Sequence, residues 1–197
     1  MVTRSREKLS LTEWAVLGLL NEGPSHGFAL SKSLTPSAPI GRIITVRRPL
    51  VYRALDRLES SGWSARLQSE PGVAGPERTV YRITPKGRNL LRRWLSNPVD
   101  HVRDLRIEFL LKIAFTRRAG REIASLVKAQ EDVLKTTLAA LTQRKGTGPP
   151  AHEQRKGTGP PALETRQGIA ADEVDAWRRH NARAVVAFLR DLRRRAS

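Results

Sequence analysis

The chain has no cysteine, and that absence removes disulfides, thiol nucleophiles and thiolate-held metal from consideration. Histidine is scarce, with four residues at positions 26, 101, 152 and 180, at no spacing that would let them share an ion. No metal and no cofactor are expected. Paired carboxylates in a plausible cleft, a Ser/His/Asp set and a phosphate-cradling glycine loop are missing too, which argues against an enzyme. No run approaches the roughly 18 apolar residues needed to span a bilayer, and the opening MVTRSREKL lacks the apolar core of a signal peptide. A cytoplasmic protein without a membrane partner is the expectation.

Negative charge is also in short supply. Against 19 acidic residues stand 36 lysines and arginines, giving a formal net charge of +17 and a pI near 11.5. Such an excess attracts polyanions, nucleic acid first among them. It is spread evenly, with 16 basic and 7 acidic residues in 1–95 and 20 and 12 in 96–197, so it does not by itself locate a site. Charge alone equally suits a nonspecific, nucleoid-associated coating protein.

The informative stretch runs from Thr45 to Thr84. Val51, Leu55 and Leu58 recur at spacings of four and three, while Arg48, Tyr52, Arg53, Asp56 and Arg57 fall elsewhere; this predicts a helix with one apolar edge and a basic face. Pro49 suits its first turn and Gly62 the position just past its end. A strand-like run follows at Trp63, Ala65 and Leu67, then a turn-rich segment, then a second run from Thr79 to Ile83. A basic helix followed by a basic hairpin has the form of a winged helix-turn-helix, in which the helix enters a DNA major groove and the hairpin reaches the backbone. Any small α+β domain can also hold a helix and a hairpin.

Upstream, Ser10 or Thr12 can cap a helix from Trp14 to Leu20, apolar around most of its circumference and so expected at the centre of the core. A shorter helix, with Ser25 as its expected cap, runs to about Leu34, and His26 at its start is expected to be structural. Thr84 and Pro85 open another helix that Pro98 stops, and a further helix is expected over Val102–Phe115. Two long amphipathic helices follow, at about 121–143 and 169–195, with stripes that include Val127, Leu134, Leu138 and Leu141 on the first and Val174, Trp177, Val185, Phe188 and Leu192 on the second. A homodimer interface would use both stripes; an intramolecular helical hairpin would bury them within one chain. Between them QRKGTGPPAHE at 143–153 is followed by QRKGTGPPALE at 154–164, a duplicated unit of Gly and Pro that reads as a solvated loop. The fold class expected is mainly α with a small β-hairpin, divided into a DNA-binding domain at 1–97 and a helical dimerisation region at 98–197.

In this order LTEWAVLGLLNEGPSHGFAL at 11–30, RRPLVYRALDRLESSGW at 47–63 and RTVYRITPKGRNLLRRWL at 78–95 resemble the PadR family of transcriptional regulators. The resemblance is close over about the first 95 residues, and it departs at Arg47 and Arg48, where the family often carries a small polar residue. It implies a winged-helix repressor, with a small aromatic effector held near the dimer interface. Residues expected to meet double-stranded DNA are Arg47, Arg48, Pro49, Tyr52 and Arg53 on the helix and Arg78, Thr79 and Arg82 on the hairpin, with Arg66 a weaker candidate; Tyr52 has a packed-core role as its alternative. Trp14 and Trp177 are the candidates to stack on an effector, with plain packing as their alternative.

Overall fold

The computed structural model describes residues 9–67, 70–72, 75–143 and 163–195. They form two compact units: the residues up to Asn97 together with Asp104–Ile123, and Pro98–Arg103 together with the chain from Ala124 onward.

In the first unit, α1 (Leu11–Glu22) begins with a capping box. Ser10 Oγ accepts from the Glu13 N–H at 3.3 Å, and the Glu13 carboxylate accepts from the Ser10 N–H at 2.6 Å. Ala15, Val16, Leu17, Leu19 and Leu20 are all buried, so α1 is the central helix that its apolar circumference predicts. The two-residue strand β1 (Ser25–His26) then leads into α2 (Gly27–Ser33). The cap of α2 is not Ser25 but His26, whose Nδ1 accepts from the Ala29 N–H at 3.1 Å. Ser25 is occupied otherwise, because β1 pairs antiparallel with a later strand and carries the extended backbone one residue further.

After a connector that buries Leu34, Ile40 and Val46 comes α3 (Arg48–Ser60). Pro49 lies in its first turn, Val51, Ala54, Leu55 and Leu58 are buried, and Gly62 takes φ +72° just past its end. The strand β2 (Ser64–Arg66) follows, then the short pair β3 (Glu70–Gly72) and β4 (Gly75–Arg78), then β5 (Val80–Ile83). β5 lies between β1 and β2 in an antiparallel sheet, with Ser64 opposite Ile83 and Arg66 opposite Tyr81; β3 and β4 form a separate two-stranded ribbon. The hairpin expected from sequence is thus a wing in two pieces, joined through Thr79 on the return path.

Thr84 caps α4 (Pro85–Ser96), accepting from the Gly87 N–H at 3.0 Å while donating to the Gly62 carbonyl at 2.8 Å. A side chain at Gly87 would meet the Trp63 carbonyl oxygen at 2.1 Å, so α4 can lie this close to the wing only with glycine there. The helix expected over Val102–Phe115 is in fact a 3-10 turn (Val102–Arg106) and a separate α5 (Glu108–Arg118), divided at Ile107. Asp104–Ile123 pack with the first unit, whereas the sequence reading set the division at 97. The class is mainly α with a small antiparallel sheet, in the order of a winged helix-turn-helix.

The second unit pairs α6 (Ala124–Gln143) with α7 (Leu163–Arg195), which starts six residues before the helix expected from sequence. Val127 and Leu134 on α6 and Ala182, Leu189 and Leu192 on α7 are buried. Gln130 is buried beside them and treats Val99 as a strand would, accepting from its N–H at 2.7 Å and donating to its carbonyl at 2.9 Å. Arg193 reaches Glu131 at 3.1 Å. Of the duplicated segment, 144–162 lies outside the described residues.

Candidate nucleic-acid interface

The front of α3 is strongly basic. Its first turn carries no acidic residue, Arg47 at the N-cap makes no side-chain cap, and the free backbone N–H groups there carry positive partial charge. Two guanidinium groups at such an end repel it rather than settle it, so an isolated helix gains nothing from Arg47 and Arg48. A phosphate would reverse the balance.

Arg48 is held by aromatic faces. Its guanidinium lies 5.3 Å from the Phe28 ring centroid and 5.6 Å from that of Tyr52, with the Tyr52 hydroxyl at 3.5 Å. Lys32 covers Phe28 from 4.8 Å. The Tyr52 ring rests on α2 at Gly27, where a Cβ would come within 2.7 Å of it, yet the residue keeps 39% of its surface exposed. Tyr52 therefore packs with one edge and faces solvent with the rest.

The expected DNA-facing residues divide by their partners. Arg47, Arg48, Pro49 and Arg53 are exposed, as is Arg82 between the buried Tyr81 and Ile83 of β5; among the described residues none of these four arginines has an acidic partner. Thr79 is half-buried between β4 and β5, and the Arg78 side chain lies outside the described residues. Other arginines nearby are spoken for. Arg57 pairs with Glu13 at 3.2 Å, and Arg66 pairs with Glu59 at 2.9 Å beneath the Tyr81 ring, whose hydroxyl burial pushes above the usual tyrosine range. Phe28, Lys32 and Leu50 were not singled out from sequence. Leu50 was legible in principle, since it stands off the Val51, Leu55, Leu58 stripe.

In the second unit the residues of the two stripes expected at a dimer interface differ in exposure. Val127, Leu134 and Leu192 are buried and Val185 is half-buried, whereas Val174, Trp177 and Phe188 on α7 are exposed; the side chains of Leu138 and Leu141 lie outside those described. Trp14 belongs to the first unit and Trp177 to the second. Trp14 is stacked on Trp94, centroids 4.6 Å apart and planes within 8°, so one of its faces is already covered. Trp177 is 66% exposed. Among the described residues no cluster of His, Asp and Glu could hold a metal ion, and no helix is long and apolar enough to cross a membrane.

Three helices followed by a wing define a winged helix-turn-helix fold, with exposed arginines at the front of the third helix. Residues 16–93, well under half of the chain, match the model of the transcriptional regulator PadR-like family, so that this segment is of the PadR type. It is 32% identical over 89 residues to a probable transcriptional regulator of Mycobacterium tuberculosis, a match that covers 45% of this chain and 46% of that one, less than half of the relative's length. It is 24% identical over 139 residues to the negative transcriptional regulator PadR of Bacillus subtilis, 71% of this chain and 74% of the other. Solved structures of Bacillus subtilis PadR are similar as well: in complex with operator DNA (TM-score 0.43, 19% identity, 92% and 97% of the two chains) and with p-coumaric acid (TM-score 0.41, 17% identity, 95% and 99%).

Proposed function

We propose that the protein is a repressor that binds an inverted-repeat operator as a homodimer. The observation that carries this reading is the front of α3, where Arg47, Arg48 and Arg53 stand exposed and, among the described residues, without acidic partners, beside paired Arg57 and Arg66. On the wing, Arg82 and Thr79 with Arg78 would track the phosphates flanking the groove. Repression is favoured by the family resemblance and by the name of the Bacillus subtilis relative, a negative regulator.

A twofold dimer sets two recognition helices about one duplex turn apart, roughly 34 Å, which is why the operator should be an inverted repeat. Val174, Trp177 and Phe188, exposed at intervals of three and eleven on one helix, supply the apolar face for a second copy. If each protomer neutralises three or four phosphates, the logarithm of affinity should fall against that of salt with a slope of about −5 to −7. Fluorescence anisotropy on the duplex upstream of the protein's own gene, beside sedimentation of the free protein, tests both parts. A monomer of 22.0 kDa would remove the twofold operator. Equal affinity for random duplex at about 150 mM salt would favour the nonspecific nucleoid-associated reading that the +17 charge supports.

The proposal extends to an effector, a small planar aromatic molecule that releases the operator, for which Trp177 offers an open indole face; Trp14, stacked on Trp94 and packed against the core, is a separate candidate. Adding p-coumaric acid should quench tryptophan emission with saturation in the native protein and less in Trp177→Phe. A linear, unsaturating decrease in both would leave these tryptophans a packing role alone.

A further inference from the structure

We propose that Leu50 reads the methyl group of one thymine in each operator half-site. This rests on DNA binding by α3 as proposed above and names what one residue of that helix recognises. Leu50 is the third residue of α3 and 43% exposed, while the helix buries Val51, Ala54, Leu55 and Leu58. The core of the unit therefore does not account for it. Arg47, Arg48 and Arg53 stand near it in sequence and are exposed as well, so the part of Leu50 that faces solvent lies in a strongly hydrated, basic surrounding.

Large exposed apolar side chains in the described part of the first unit are Phe28, Leu50 and Tyr52. Phe28 and Tyr52 carry π faces and lie against the Arg48 guanidinium at 5.3 and 5.6 Å, so their exposure already has a use. Leu50 has neither a ring nor a polar atom. Its only favourable contact is with another apolar group from which both exclude water. In the major groove the hydrogen-bonding edges of G, C and A offer no such group, and thymine offers its C5 methyl. First-turn residues of a recognition helix are the ones that reach base edges. The position is also rigid, because the Leu50 N–H donates to the Arg47 carbonyl at 2.9 Å and Pro49 precedes it.

The test removes the methyl and nothing else. A duplex is selected from a random-sequence pool by the native full-length protein, and each thymine in it is replaced in turn by deoxyuridine, which keeps every hydrogen-bonding group. Binding of native protein should weaken at one symmetry-related thymine, by about fourfold per methyl and about fifteenfold for both half-sites together, from the usual value of one buried carbon. Leu50→Ala should bind the thymine duplex with a loss of at least that size and be indifferent to uracil at that position, while remaining sensitive to changes elsewhere in the site. Its melting temperature should match that of the native protein, since the position is exposed and alanine favours helix. Native binding unaffected by uracil at every position, or a Leu50→Ala variant that loses as much on uracil substitution as the native protein, would overturn the assignment while leaving DNA binding by α3 intact. Failure of any sequence to enrich from the pool would overturn that wider reading, and this one with it.

Discussion

The double substitution Arg48→Glu/Arg53→Glu is expected to abolish operator binding, with a loss of about a thousandfold or more near 0.1 M salt. In a dimer it removes four guanidinium groups from the front of two helices and sets four carboxylates against phosphates. Part of the effect is the lost ion release, which should flatten the salt slope by about 3 to 4; the rest is direct repulsion. The fold should survive. Both residues are exposed and neither has an acidic partner among the described residues, so nothing buried is left unpaired. An acidic residue in the first turn favours the helix and offsets the loss of the Arg48 contacts with Phe28 and Tyr52, so the variant should melt within a few degrees of the native protein. A large loss of binding with little change in stability is what distinguishes a functional arginine from a structural one. Arg66→Glu gives the contrast, because its guanidinium is committed to Glu59 and the Tyr81 ring. There the loss should fall first on the wing's stability. Retained operator affinity in the double variant would remove α3 from the interface.

The same difference between paired and unpaired charge marks where sequence reading stops. Helices α1, α3 and α4 were legible because their ends are local: Ser10 with Glu13, Pro49 with Gly62, Thr84 with Pro85 are each within a few residues of what they cap or stop. The pairing of Arg57 with Glu13 spans the first three helices, and no spacing rule announces it. β1 was missed for a related reason, since two residues carry no alternation and exist as a strand only because β5 lies beside them. The helical stripe of α7 was seen, but periodicity cannot say that Leu189 and Leu192 turn inward while Trp177 and Phe188 do not. That division depends on where α6 runs. Likewise, the apolar residues of α5 were readable as a core face, while the core they join, that of the first unit, was set by the route of the chain after Asn97.

Within α5 lies a buried charge that helical periodicity does not announce, and it leads to the largest stability change expected here. Lys112 is 2% exposed, and its ammonium donates to the Asn97 carbonyl at the end of α4 at 2.7 Å and reaches Glu108 at 3.1 Å. It also lies 5.0 Å from the Trp94 ring centroid. The same Glu108 oxygen accepts from the Trp94 indole N–H at 2.9 Å, and Trp94 in turn stacks on Trp14 of α1. One carboxylate thus serves two donors that tie α4 to α5. Glu108→Ala takes from the buried ammonium the carboxylate 3.1 Å away and from the indole N–H its acceptor, and should destabilise by about 3 to 5 kcal/mol. For a unit of this size that corresponds to a melting temperature lower by about 10 to 20 °C. Glu108→Gln keeps an acceptor for the indole and should fall between. Replacing both members, in Glu108→Leu/Lys112→Met, removes the buried ammonium together with the carboxylate and should cost less than Glu108→Ala alone, because a buried charge that has lost a carboxylate is worse than an apolar side chain in its place. With Glu108→Leu and Lys112→Met made singly, the double variant and the native protein close a cycle read by thermal melting, with tryptophan emission reporting on the Trp14–Trp94 stack. A Glu108→Ala protein that melts within about 2 °C of the native one would show that water reaches Lys112 and that the pair is no more than a surface contact.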